Sequence, residues 1–103
     1  MIKAISQENF NEEIKEGIVA VDFWATWCAP CKMLGTVLEE VASELEGKVK
    51  FAKVNVDENA NITSEYKITN IPTVLIFKNS ELVDEIHGFN TKVTITDLVN
   101  KYL

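Results

Sequence analysis

The sequence predicts an α/β protein: a central mixed β-sheet with helices on both faces, in the order β-α-β-α-β-α-β-β-α. Three observations carry that prediction. The run "IVAVDFWA", residues 18 to 25, is apolar on both of its alternating faces, the pattern of a central strand covered on two sides. A helix-period stripe follows it directly, and strand-like and helix-like stretches then alternate until two strands stand side by side near the end.

Residues 1 to 5, "MIKAI", suit a short edge strand. Ser6 reads as the N-cap of a short helix that carries Phe10 and Ile14 on one face, and Gly17 closes it. In the central strand Ile18, Ala20 and Trp24 share one face, while Val19, Val21 and Phe23 share the other. From Cys31, the residues Leu34, Val37, Leu38, Val41, Ala42 and Leu45 recur at three- and four-residue spacing, an amphipathic helix that ends at Gly47. "VKFAKVNV", 49 to 56, is the next strand, and "NANITSEY", 59 to 66, a short helix with Ile62 and Tyr66 together. "VLIFKN", 74 to 79, and "LVDEIH", 82 to 87, read as a hairpin turning at Asn79 and Ser80. Thr94 with Asp97 predicts the start of the last helix, striped by Ile95, Leu98, Val99 and Tyr102. Three crossovers of the parallel type followed by a hairpin imply the mixed sheet.

A chain of 103 residues fits one domain, residues 1 to 103, whose core can stand without metal or disulfide staples. No apolar stretch is long enough to span a bilayer, and the first ten residues have no apolar segment of the secretory kind, so the expected compartment is cytoplasmic and no membrane partner is expected. In a reducing cytosol two cysteines point to catalysis or metal binding and not to a staple. The net charge of −6 argues against a nucleic-acid surface. All ten cationic residues are Lys, so Arg clamps for phosphate or carboxylate are absent.

Both cysteines lie in "WATWCAPCKML", residues 24 to 34. Cys28 falls where the buried strand gives way to the long helix, at the strand's carboxyl end, where open α/β sheets place their sites. The unpaired N–H groups and positive partial charge of a helix N-terminus favour thiolate over thiol, which makes Cys28 the candidate nucleophile. Cys31, one turn further in, is the candidate resolving thiol. Pro30 suits the first turn, where its missing N–H would have had no partner. Two core thiols without chemistry would be expected inside the apolar stripe, which Cys28 precedes. A zinc site needs about four ligands, and beyond the pair only His87 offers a soft one. Asp22 occupies an inward position on a strand with no solvent face. Desolvation there should raise its pKa and leave a carboxyl able to exchange a proton near neutrality.

"FWATWCAPCKM", "IPT" and the order of strands resemble the thioredoxin family across essentially the whole chain. The resemblance implies the thioredoxin fold and reduction of protein disulfides by dithiol–disulfide exchange. It also implies a monomer that needs no bound cofactor or metal beyond the redox-active Cys28–Cys31 disulfide, recycled by a thioredoxin reductase. It places the Asp22 carboxyl beneath Cys31, pairs Lys53 with it, and implies a cis bond at Ile71–Pro72 facing the cysteines. Trp27, Ala29, Pro30, Ile71, Pro72 and Gly88 would then form an apolar contact rim around Cys28. A thiol oxidase or isomerase of the same fold, or a non-catalytic binding subunit, are the rival readings.

Four positions depart from the family pattern. Ala29 stands for the usual Gly between the cysteines. "LGT" replaces a helix-kinking Pro near Thr36, which predicts a weaker bend in the long helix. Ser80 replaces the hairpin Gly, so a left-handed conformation there would cost roughly 1 to 2 kcal/mol. His87 precedes Gly88, where a small or apolar residue is usual. Near Cys28 it would favour the thiolate when protonated and make partner choice pH-dependent between about pH 5 and 8.

Overall fold

The computed structural model describes residues 2–103. Its elements follow the predicted order: β1 (Ile2–Ala4), α1 (Phe10–Glu13), β2 (Ile18–Trp24), α2 (Ala29–Glu44), β3 (Lys50–Asn55), α3 (Ala60–Glu65), β4 (Thr73–Lys78), β5 (Glu81–His87) and α4 (Lys92–Asn100). The five strands form one sheet in the order β1-β3-β2-β4-β5. β2 lies at its centre, parallel to β3 and antiparallel to β4. Two of the three crossovers therefore join parallel strands, while the third, through α3, brings β4 back antiparallel. Alternation of strand and helix patterns does not encode strand direction, so this reversal appears only in the fold.

The two faces of β2 sort into two cores as the alternation requires. Ile18 and Ala20 pack with Leu34, Leu38 and Val41 of α2 and with Ile95 and Val99 of α4. Val19, Val21 and Phe23 pack on the opposite face with Phe10 and Ile62. There Phe10 meets Phe77 edge-on with ring centroids 5.7 Å apart, and Tyr66 at 5.4 Å. Asp22 shares its face with Ile18 and Ala20, which directs it toward α2.

Two predicted helix starts are corrected. Ser6 does not cap α1: its N–H donates to Asn9 Oδ1 at 2.9 Å, and Asn9 N–H donates to Ser6 O at 3.2 Å. That local bond makes a turn and delays the helix to Phe10. Thr94 does not start α4, because Thr91 is the N-cap and its hydroxyl accepts from Thr94 N–H at 3.3 Å. Two threonines three residues apart carry the same capping signal, and the helix starts from the earlier one. The edge strand predicted over 1–5 forms over Ile2–Ala4, and Met1 lies outside the described residues. α2 runs unbroken through Gly35 and Thr36.

The β4–β5 turn holds both Asn79 (φ 51°) and Ser80 (φ 75°) in the left-handed region, the pattern of the hairpin turns that favour Asn-Gly. Tertiary bonds keep it there: Asn79 N–H donates to Gly17 O at 2.9 Å and Ser80 N–H to Ile14 O at 3.1 Å. Ser80→Gly relieves the strain at the second position and should raise the unfolding free energy by about 1 kcal/mol, read by chemical denaturation.

Candidate active site

β2 ends at Trp24, and the chain turns through Ala25 to deliver Cys28 as the N-cap of α2. The Cys28 sulfur accepts from Cys31 N–H at 3.2 Å, so it occupies the place where a helix start offers its unpaired donors. Pro30 lies in the first turn, as predicted. The two sulfurs form a disulfide with Cα atoms 5.2 Å apart. Both cysteines are buried in a small cluster with Ala25, against which Trp24 and Ile71 pack.

The loop before β4 closes the site from the other side. Ile71–Pro72 is cis, and the Ile71 carbonyl oxygen lies 4.0 Å from Cys28 Sγ. Gly88 N–H donates to Pro72 O at 2.8 Å and ties the end of β5 to this loop. Trp27 is 69% exposed, with its indole N–H donating to Asp57 Oδ2 at 2.8 Å. Ala29 and Pro30 are exposed and Ile71 half-buried, but Pro72 is buried. The rim predicted from the sequence therefore loses Pro72, whose ring is covered by the structure it shapes. Phe89, directly after Gly88, is 44% exposed and has no counterpart among the residues the sequence singled out. The signal for it was an aromatic residue directly after the loop glycine.

The buried carboxyl of Asp22 lines the same cavity as Cys31. It is 5% exposed, and its Oδ1 has no hydrogen-bond partner among the described residues. Burial pushes its pKa up to about 7, and the Lys53 charge opposes that rise only in part. Lys53 stands opposite Asp22 in the parallel β2–β3 register, on an interior strand and half-buried. Its ammonium lies 5.3 Å from the centroid of the Trp24 ring, which gives Trp24 a packing place and not a contact surface. Asp22, Cys31 and Lys53 line one cavity of about 250 Å3, together with Lys32, Gly35, Thr36 and Glu39 of α2. The sequence pointed to Asp22 and Lys53; the helix positions that complete the cavity had no signature of their own.

His87 is exposed at the end of β5, opposite Thr73 of β4. Its Nε2 pairs with Glu85 at 3.0 Å, and its Nδ1 lies 3.5 Å from the Thr73 hydroxyl. Among the described residues no three His, Cys, Asp or Glu side chains gather into a metal site.

A disulfide at a helix N-terminus, the Ile71 loop across from it and a buried carboxyl in the cavity at the inner cysteine are the parts of a thiol–disulfide oxidoreductase. The thioredoxin family model matches residues 1–101. The chain is 42% identical to thioredoxin of Staphylococcus haemolyticus over 99% of its own length and 98% of that protein's. It is 41% identical to the thioredoxin of a Staphylococcus epidermidis strain and 40% identical to that of Staphylococcus aureus, each with the same coverage. The chain belongs to the thioredoxin family, a family of disulfide reductases whose active site is the redox-active disulfide and which carry no cofactor.

Proposed function

We propose that Cys28 is the attacking thiolate and Cys31 the resolving thiol in the reduction of protein disulfides. The single observation that carries this assignment is the asymmetry of the pair. Cys28 is the helix cap beside the Ile71 carbonyl, whereas Cys31 backs onto the Asp22 cavity.

In the reduced protein the Cys28 thiolate attacks one sulfur of a substrate disulfide, forming a mixed disulfide and releasing the other sulfur as a thiolate. Asp22 takes the proton from Cys31, whose thiolate then attacks Cys28 Sγ. The Cys28–Cys31 bond forms as the bond to substrate breaks, and two electrons have passed to the substrate. Lys53, by its charge opposite Asp22, keeps part of the carboxyl population ionised and so able to accept that proton. Trp27, Ala29, Pro30, Ile71 and Gly88 provide the contact rim, with the Ile71 backbone pairing to an extended substrate segment. Pro72 supports this segment from beneath.

The family implies disulfide-bearing protein substrates and a thioredoxin reductase as partners. No described helix is long and apolar enough to cross a membrane. A monomeric domain over residues 1–103, acting in the cytoplasm, is the setting this reading adopts.

Reduction of insulin with dithiothreitol as donor tests the activity, and equilibration against a glutathione buffer sets its direction. Catalysis with a potential well below the glutathione pool supports a general reductase. A potential at or above that pool would make the protein an oxidant or isomerase and change the role of Ala29. We place His87, next to Gly88, at the outer edge of the rim, with its Nε2 3.0 Å from Glu85 Oε1. The titration of the Cys28 thiolate should therefore shift in His87→Ala, and curves that overlay would remove this role.

A further inference from the structure

A proton taken by a buried carboxyl must leave before the next turnover, and the surroundings of Asp22 offer one way out. Positions 31, 35 and 39 succeed one another at four-residue spacing on α2, so they form one row along the helix, and all three line the cavity shared with Asp22 and Lys53. Cys31 and Glu39 fill the two ends of that row, and Gly35 leaves its middle without a side chain. A Cβ built at Gly35 would meet nothing within 4 Å. The cavity at this gap holds about 250 Å3, far above the roughly 15 Å3 that a water needs. It runs from the exposed side chains of Lys32, Thr36 and Glu39 to the buried Asp22 and Cys31.

We propose that Gly35 is a positioning residue of the reaction: by lacking a side chain it keeps open the water-filled passage through which the Asp22 carboxyl exchanges its proton with solvent. The inference rests on Asp22 as the proton acceptor for Cys31. Around that carboxyl, Lys53 faces it from β3 and Lys32, Glu39 and Cys31 from α2, while β4 contributes the apolar Val74 and β1 the apolar Ile2. Unpaired Asp22 Oδ1 fits a group that takes its hydrogen bond from water. The balance is simple: the proton moves from Cys31 to Asp22, then along water to the bulk, and no electron pair moves in this second step. A glycine inside a helix is otherwise unfavourable, and open space at its Cβ means that no close neighbour demands it.

The test fills the gap. Gly35→Leu places an apolar side chain in the passage, whereas Gly35→Ala leaves most of it open. Resolution of a preformed mixed disulfide at Cys28 is followed from pH 5 to 9 by stopped flow, and Asp22 is titrated by carboxyl NMR. Gly35→Leu should slow resolution at neutral pH by about tenfold and displace the Asp22 titration upward, with Gly35→Ala near wild type. Alkylation of Cys28 by iodoacetamide, which does not use Asp22, should be unchanged. If Gly35→Leu does not fold, the unbranched Gly35→Met carries the same comparison.

Asp22→Asn separates the proton acceptor from the passage that serves it. If it resolves the mixed disulfide at the wild-type rate, Asp22 is not the acceptor. If it is slow while the filled variants overlay wild type in rate and titration, the passage alone is refuted. With the passage correct, Gly35→Leu adds no further slowing in the Asp22→Asn background.

Discussion

Cys28→Ser will abolish insulin reduction, lowering turnover by at least on the order of a thousandfold, because a serine hydroxyl is neither ionised near neutrality nor able to carry the exchange. Cys31→Ser will behave differently. Its Cys28 can still attack, but nothing in the chain resolves the product, so a mixed disulfide with substrate should accumulate and be visible by mass spectrometry. The contrast follows from where the sulfurs sit. Cys28 caps α2 beside the Ile71 carbonyl, and Cys31 lies one turn inward over the Asp22 cavity. If Cys28→Ser kept turnover while Cys31→Ser lost it, the two roles would have to be exchanged. A binding subunit with incidental thiols would keep its partner affinity in both variants and show no turnover in the wild type.

Asp22→Asn will stabilise the oxidised protein, and only above acidic pH. The carboxyl has a pKa of about 7 in the folded chain against 3.8 in the unfolded one, because burial disfavours its charge more than Lys53 restores it. Between these values the unfolded chain holds fewer protons than the folded one, so raising the pH lowers stability. The stability present below pH 3.8 is lost progressively through that window, and the loss is complete above the folded value of about 7. A shift of this size corresponds to about 4 kcal/mol at most. Asparagine keeps the shape but leaves a buried amide to satisfy, so a gain of about 2 to 3 kcal/mol at pH 8 is the expected result. At pH 3.5 the two proteins should unfold at nearly the same denaturant concentration. Equal stabilities at pH 8 would show that Asp22 is solvated in a way its burial does not convey. On the proposed mechanism the same substitution should also slow resolution of the mixed disulfide.

Much of this was legible in the chain. The doubly apolar run from Ile18 marked the central strand, and the stripe from Leu34 to Leu45 marked the long helix, because burial on one or two faces imposes a period that residue type displays directly. Cys28 and Cys31 were legible for the same reason. A strand end, a helix start and two thiols one turn apart are all local facts. Asp22 declared itself by being a charge where the pattern required an apolar residue, and the structure adds that its partner Lys53 lies on an interior strand.

Other features were decided by contacts between distant parts of the chain. The helix starts are the local exception: Ser6 and Thr94 carried capping signals that went unused, since Ser6 N–H bonds Asn9 Oδ1 and Thr94 N–H bonds the Thr91 hydroxyl, each three residues away. The left-handed Asn79 and Ser80 are held by Gly17 and Ile14 respectively, more than sixty residues away in sequence. Pro72 turned out buried and Phe89 exposed, a distinction that depends on how the two loops are tied by the Gly88–Pro72 bond. Gly35 reads in the sequence only as a weak point in a helix; what its missing side chain faces is set by β2 and β3. By itself the sequence determined the order of the elements, the reactive pair and the misplaced carboxyl, because local period and chemistry suffice for each. Tertiary structure alone decided strand direction, the exposure of the rim and the cavity under Cys31, because each is a relation between segments that no single segment encodes.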